Sequence, residues 1–207
     1  MSHPSAIEAG HHTDYTGAKI GMWLFLFTEL LLFGGLFLLY AVFRSKNADA
    51  FHEAAAHLDI MLGTFNTLIL LTSSLTVVLS LEAARAGNRR RALILLTATI
   101  AMGFFFLVNK FFEWGAKIDH GIYPGSPDLL SMEKGEALFY SLYYAMTGLH
   151  GLHVVAGMAI LAWMIRPLLR SSQTGPQAYV GLENGALYWH FVDIIWIFLF
   201  PLFYLIS

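Results

Sequence analysis

The sequence predicts an all-α integral membrane protein with five transmembrane helices, and three observations lead there. First, 57% of the 207 residues are hydrophobic and only 13% are charged, and the mean hydropathy of +0.61 lies outside the usual soluble balance. Second, the apolar residues gather in five runs, roughly 20–43, 60–82, 92–113, 137–165 and 185–206. At about 1.5 Å per residue each run is long enough to cross a hydrocarbon core of about 30 Å. Third, the runs are continuous rather than strictly alternating, which favours helices over barrel strands.

Residues 1–18 form a polar tail with Glu8, Asp14 and the histidines His3, His11 and His12. The tail lacks the basic start and small-residue cleavage site of a secretory signal, so the first span reads as an uncleaved anchor. Residues 19–207 then form one membrane domain, with no linker long enough for a second folded unit. Between the first and second spans and beyond, the basic residues divide unevenly. Lys19, Arg85, Arg89, Arg90, Arg91, Arg166 and Arg170 fall on one side, and Arg44, Lys46, Lys110, Lys117 and Lys134 on the other. Four arginines around a single short loop predict that the N-terminus is cytoplasmic and the C-terminus periplasmic. Pro167 is expected to end the fourth span at Arg166. "IYPGSPD" (122–128) is a turn-rich outer connection, and Pro201 lies late in the fifth span. No internal repeat supports a transporter architecture.

Ionisable groups at membrane depth cost about 2.5–3.5 kcal/mol each on insertion scales, so each needs a partner or a role. Glu29 falls mid-span, with Gly34 and Gly35 following on a stretch that would let another backbone approach. His150 and His153 are three residues apart in "TGLHGLHVV" and share a helix face. His190 and Asp193 have the same spacing in "LYWHFVDIIWIFLF", so an imidazole–carboxylate bond is geometrically available. These groups fit metal or haem ligation, a proton relay, or a purely structural network between helices. Asn66 begins a run of hydrogen-bonding residues, "NTLILLTSSLT", of the kind that joins membrane helices. Lys110 and Glu113 are expected to pair at i,i+3 near the outer interface. The aromatic run "MGFFFLVNKFFEW" (102–114) reads as lipid-facing or packed surface rather than a cofactor box. With no cysteine, the chain has no disulfide, thiolate metal site or Cys-ligated copper. No basic stripe points to nucleic acid.

Several of these segments together resemble subunit III of the haem–copper oxidases, the cytochrome c and quinol oxidase complexes. "YWHFVDIIWIFLF" (188–200) is similar to that family's closing helix, and "TGLHGLHV" (147–154) to its Gly-x-His-Gly-x-His segment. "FTELLLFGG" (27–35) resembles the segment holding the family's carbodiimide-reactive glutamate, which maps onto Glu29. Asn66–Thr67 resembles the opening of the following helix, and Glu113 in "FFEW" matches a family glutamate.

The resemblance implies a subunit with no redox cofactor of its own, with haem and copper on partner subunits and bound phospholipid beside it. Only three of the nine histidines, His150, His153 and His190, lie in spans, whereas the catalytic haem–copper subunit needs six. The implied partners are catalytic subunit I, subunit II, small subunits and membrane lipids, and the implied location is a bacterial inner membrane. The implied function is support of assembly, of lipid and oxygen access, and of sustained proton uptake by the catalytic subunit. Glu29 would be the carboxyl on the lipid and oxygen route. His150, His153, His190, Asp193, Glu113 and Asn66 would form the intramembrane polar network. Arg166 would contact a lipid phosphate, and no residue is assigned to catalysis or a metal. Long family members have seven spans and five-span bacterial forms exist; the first span here corresponds to their third. The alternatives are the related accessory subunit of a nitric oxide reductase and a membrane haem-binding protein.

Overall fold

The computed structural model describes residues 15–170 and 179–205. Among these residues seven helices run in the order α1 (Tyr15–Lys46), α2 (Ala48–Ala56), α3 (Ile60–Arg85), α4 (Arg89–Asp119), α5 (Pro127–Ser131), α6 (Lys134–Arg170) and α7 (Val180–Tyr204). Five of them, α1, α3, α4, α6 and α7, are long and apolar enough to cross a membrane, and the described residues contain no strand. The five correspond to the five apolar runs, extended by several residues at most ends. Residues 15–18 of the polar tail are helical, while His3, Glu8, His11, His12 and Asp14 lie outside the described residues.

Two short helices were invisible to hydropathy. α2 is alanine-rich and buries Ala50, Phe51, Ala54 and Ala55. Its Phe51 ring meets Tyr40 of α1 and Phe139 of α6, each edge-on at 5.4 Å. α5 starts at Ser126, whose hydroxyl accepts from the Leu129 amide at 3.1 Å, with Pro127 pre-set for the first helical position. Other boundaries follow ordinary capping. Asp59 accepts from Leu62 N at the start of α3, and Asn88 from Arg91 N at the start of α4. Gly87 takes φ +75°, which lets α3 turn into α4 within three residues.

The expected break at Pro167 does not occur: α6 continues through it to Arg170. Proline removes one intrahelical hydrogen bond, but here it sits one turn from the helix end on an exposed face. There the released carbonyl costs little and the helix is not forced apart.

α3, α4, α6 and α7 form a closed ring in which each packs on the next, while α1 lies outside against α6 and α7 and α2 rests on α6. At the ring's centre is Trp189 of α7, fully buried. Its indole Nε1 donates to Ser73 Oγ of α3 at 3.0 Å. A Cβ on Gly103 of α4 would lie 2.6 Å from Trp189 Cη2, and one on Gly157 of α6 would lie 2.8 Å from Cε3. The indole is therefore clamped between two glycine faces, the close-approach role small residues play in membrane bundles. Since neither face can give, Gly103→Ala is expected to lower stability by about 1–3 kcal/mol, read as an earlier thermal unfolding midpoint in detergent.

Gly34 and Gly35 behave otherwise. Among the described residues nothing comes within 4 Å of a Cβ built at either, so none of the helices described uses the close approach they offer.

Candidate functional site

Among the described residues, the candidate polar side chains within the spans fall in four places. The first joins α1 to α6. Glu29 lies near the middle of the 32-residue α1, and its Oε2 is 2.9 Å from His153 Nε2. On its other side the His153 ring uses Nδ1, 2.8 Å from the Leu149 carbonyl. A carbonyl only accepts, so Nδ1 carries a hydrogen. Nε2 and Oε2 must then share one further proton, as imidazolium–carboxylate or as imidazole–carboxylic acid, since two bare acceptors at that distance would repel. Phe33 packs edge-on to the imidazole at 5.2 Å and the Tyr188 ring stacks at 6.5 Å. Both side chains keep partial exposure, 15% for Glu29 and 14% for His153, so the pair sits at the rim of the α1–α6 seam.

The second place holds His150, one helical turn away and in different company. Three residues correspond to 300° of helix, so the two rings differ in direction by about 60°. That angle turns His153 toward α1 and His150 into the bundle, between Phe106 at 5.6 Å and Trp196 at 5.2 Å. His150 is 1% exposed, and neither ring nitrogen has a hydrogen-bond partner among the described residues.

The third joins α3 to α7. His190 Nδ1 bonds Ser74 Oγ at 2.6 Å, taking the neighbouring helix in preference to Asp193 on its own. Ser74 also lies beside Asp193, but neither Asp193 carboxylate oxygen makes a hydrogen bond within the described residues. Trp196 Nε1 donates to Thr67 at 3.0 Å, and Asn66 Oδ1 accepts from Asn109 of α4 at 2.8 Å.

The fourth is a closed ionic cluster that sequence reasoning found only in part. Lys110 Nζ donates to Glu113 Oε2 at 3.1 Å, to Tyr143 OH at 3.1 Å and to Tyr204 OH at 2.7 Å. Tyr143 OH donates to Glu113 Oε1 at 2.6 Å, and Tyr204 OH donates to the same oxygen. All three ammonium protons and both carboxylate oxygens are engaged, joining α4, α6 and α7. The i,i+3 spacing revealed the pair, and both residues are buried inside the bundle, each 7% exposed. Tyr143 and Tyr204 carried no signal, because a tyrosine in an apolar helix reads equally as packing.

Arg166 is exposed, with its guanidinium 4.7 Å above the Trp163 ring. At the same end of the bundle Lys19 of α1 and Arg85 of α3 both approach Glu183 of α7, at 2.9 and 3.6 Å. No group of three histidine or acidic side chains able to hold a metal ion occurs among the described residues.

Fold and polar groups together define a polytopic helical membrane protein with ionisable groups inside its spans, where the bonds of Glu29 with His153 and of His190 with Ser74 link neighbouring helices. The family model for cytochrome c oxidase subunit III matches residues 3–207. Cytochrome c oxidase subunit 3 of Thermostichus vulcanus is 30% identical over 207 residues, covering 100% of this chain and 96% of that protein. The subunit 3 of Synechocystis sp. is 34% identical over 200 residues, covering 95% and 79%. A protein of Aeropyrum pernix called heme-copper oxidase subunit I+III is 30% identical over 203 residues, 94% of this chain and 24% of that longer protein. The chain belongs to the cytochrome c oxidase subunit III family of haem–copper oxidases.

Proposed function

We propose that this chain is the supporting subunit of a terminal oxygen reductase in aerobic electron transport, taking electrons from cytochrome c or a quinol. It packs on the catalytic haem–copper subunit, holds phospholipid against the complex, and sustains oxygen access and proton uptake there. The Aeropyrum relative, whose name joins subunits I and III in one chain, supports one catalytic partner per copy. Subunit II and smaller subunits complete the complex. The arginines at residues 85–91 favour a cytoplasmic N-terminus in a bacterial inner membrane, and Arg166 is suited to a lipid phosphate.

The observation that carries this reading is the Glu29–His153 pair. A proton shared by a carboxyl and an imidazole, mostly covered at the rim of an apolar seam, is a costly arrangement for packing alone. It suits a site where proton state and lipid or oxygen traffic meet. His190, Glu113 and Asn66 act as groups that hold the helices in register by hydrogen bonds between helices, while His150 contributes by ring packing and Asp193 makes no hydrogen bond among the described residues.

Glu29→Gln separates the roles. A glutamine N–H donates to His153 Nε2 and keeps the link between α1 and α6, but it has no proton to exchange. In the purified complex, haem content is expected to be unchanged and the initial rate to stay within about twofold, a barrier change below about 0.5 kcal/mol. The number of turnovers completed before inactivation should fall. Loss of assembly would assign Glu29 to structure instead.

A further inference from the structure

Three exposed hydroxyls on the spans are satisfied at home. Thr28 donates to the Phe25 carbonyl, Thr72 to Leu68 and Ser141 to Ala137, each within its own helix. His190 is different. Its Nδ1 is used by Ser74, but the structure records no partner for Nε2 among the described residues. The ring is only partly covered and lies ten residues into α7, about 15 Å from its start and so within the hydrocarbon depth. Whether Nε2 carries the hydrogen or the lone pair, lipid tails offer it nothing.

The surroundings of that nitrogen form a face. On α7, Ile194 and Ile197 follow His190 at i+4 and i+7, and on α3 Leu71, Leu75 and Val78 repeat the same spacing beside Ser74. All five are exposed. α1 covers the opposite flank of α7, where Phe37 meets Phe198 at 6.1 Å and Tyr40 donates to the Leu202 carbonyl at 2.6 Å. An apolar stripe from two packed helices, with one unsatisfied polar group at its centre, matches a helix-docking surface and not a lipid annulus.

We propose that the α3–α7 seam centred on His190 is the face that docks the catalytic haem–copper subunit, with Nε2 hydrogen-bonded to a polar group on one of that subunit's transmembrane helices. This rests on the reading that the chain assembles with a catalytic subunit. Lipid cannot answer Nε2, and a catalytic partner held one-to-one favours that subunit over a second copy.

The chain has no cysteine, so a single cysteine carrying a benzophenone maleimide reports its own neighbours. In the assembled complex, Ile194→Cys is expected to cross-link on irradiation to the catalytic subunit, identified by mass spectrometry. Phe111→Cys, on the exposed face of α4, is expected not to. His190→Asn keeps an amide at the Nδ1 position and loses the outward group, whereas His190→Gln keeps a group near Nε2. Retention of the haem-bearing subunit in detergent should drop about tenfold for Asn, the factor one hydrogen bond of that order supplies, and persist for Gln. Cross-links from Ile194→Cys to lipid alone, to a second copy, or only from Phe111→Cys, while the haem protein still co-purifies, would overturn the seam. Equal retention in both His190 variants would do the same. If the unmodified chain co-purifies with no haem protein, the parent reading fails instead.

Discussion

Glu113→Leu is expected to lower the stability of the helical bundle by about 3–5 kcal/mol, one of the two largest effects predicted for a single substitution here. The change leaves Lys110 buried with only two phenols, and Tyr143 and Tyr204 lose the oxygen to which both donate. Lys110→Met should cost a similar amount, because it leaves a carboxylate buried in the same place. Joint replacement is the informative experiment. In Lys110→Met/Glu113→Leu no uncompensated charge remains, so most of the single-mutant loss should return, giving a strongly non-additive cycle. Denaturation of the purified chain or complex with SDS measures all three. Additive losses would mean that the two side chains act independently and that the cluster is not a unit.

Trp189→Ala ranks beside it, at about 3–5 kcal/mol. The indole fills the space between Gly103 and Gly157 and satisfies the Ser73 hydroxyl. Its removal opens a cavity that neither glycine can fill, at the point where all four ring helices meet. Trp189→Phe should recover part of the packing and none of the Ser73 bond, so its unfolding midpoint should fall between those of Trp189→Ala and the unaltered chain. The destabilisation should disperse through α3, α4, α6 and α7 and leave α1 little affected, because α1 touches the ring from outside.

How much of this was readable in advance follows from the kind of signal each feature leaves. The five spans were legible because hydropathy is one-dimensional: a run of about 20 apolar residues has few other uses. α2 escaped because nine alanine-rich residues bury one face through contacts with Tyr40 and Phe139, far away in the chain. Pro167 misled because, one turn from the helix end and on an exposed face, the carbonyl it releases costs little, so the local preference for ending a helix is weak there.

Among the polar residues, type and depth were legible but partners were not. Glu29 stood out by its position, yet nothing in "FTELLLFGG" says that its carboxyl meets His153 rather than His150. That outcome depends on about 60° of helix rotation and on where α1 docks. Likewise, His190 and Asp193 are neighbours at i,i+3, but Ser74 of α3 takes the imidazole. A short contact with a packed helix outcompetes one along the same helix whenever the interhelical distance is small. Lys110 with Glu113 was the pair that spacing did identify, and spacing could not place Tyr143 and Tyr204 around it.

The most direct test of the chain as a supporting subunit without redox chemistry is where the haem goes when the complex is taken apart. The purified oxidase would be split in detergent, and the Soret absorbance per mole of protein measured in the separated fractions. All of the absorbance is expected to remain with the catalytic subunit, and this chain is expected to emerge colourless. A stoichiometric Soret band travelling with this chain would contradict it, and would make haem ligands of His150, His153 and His190.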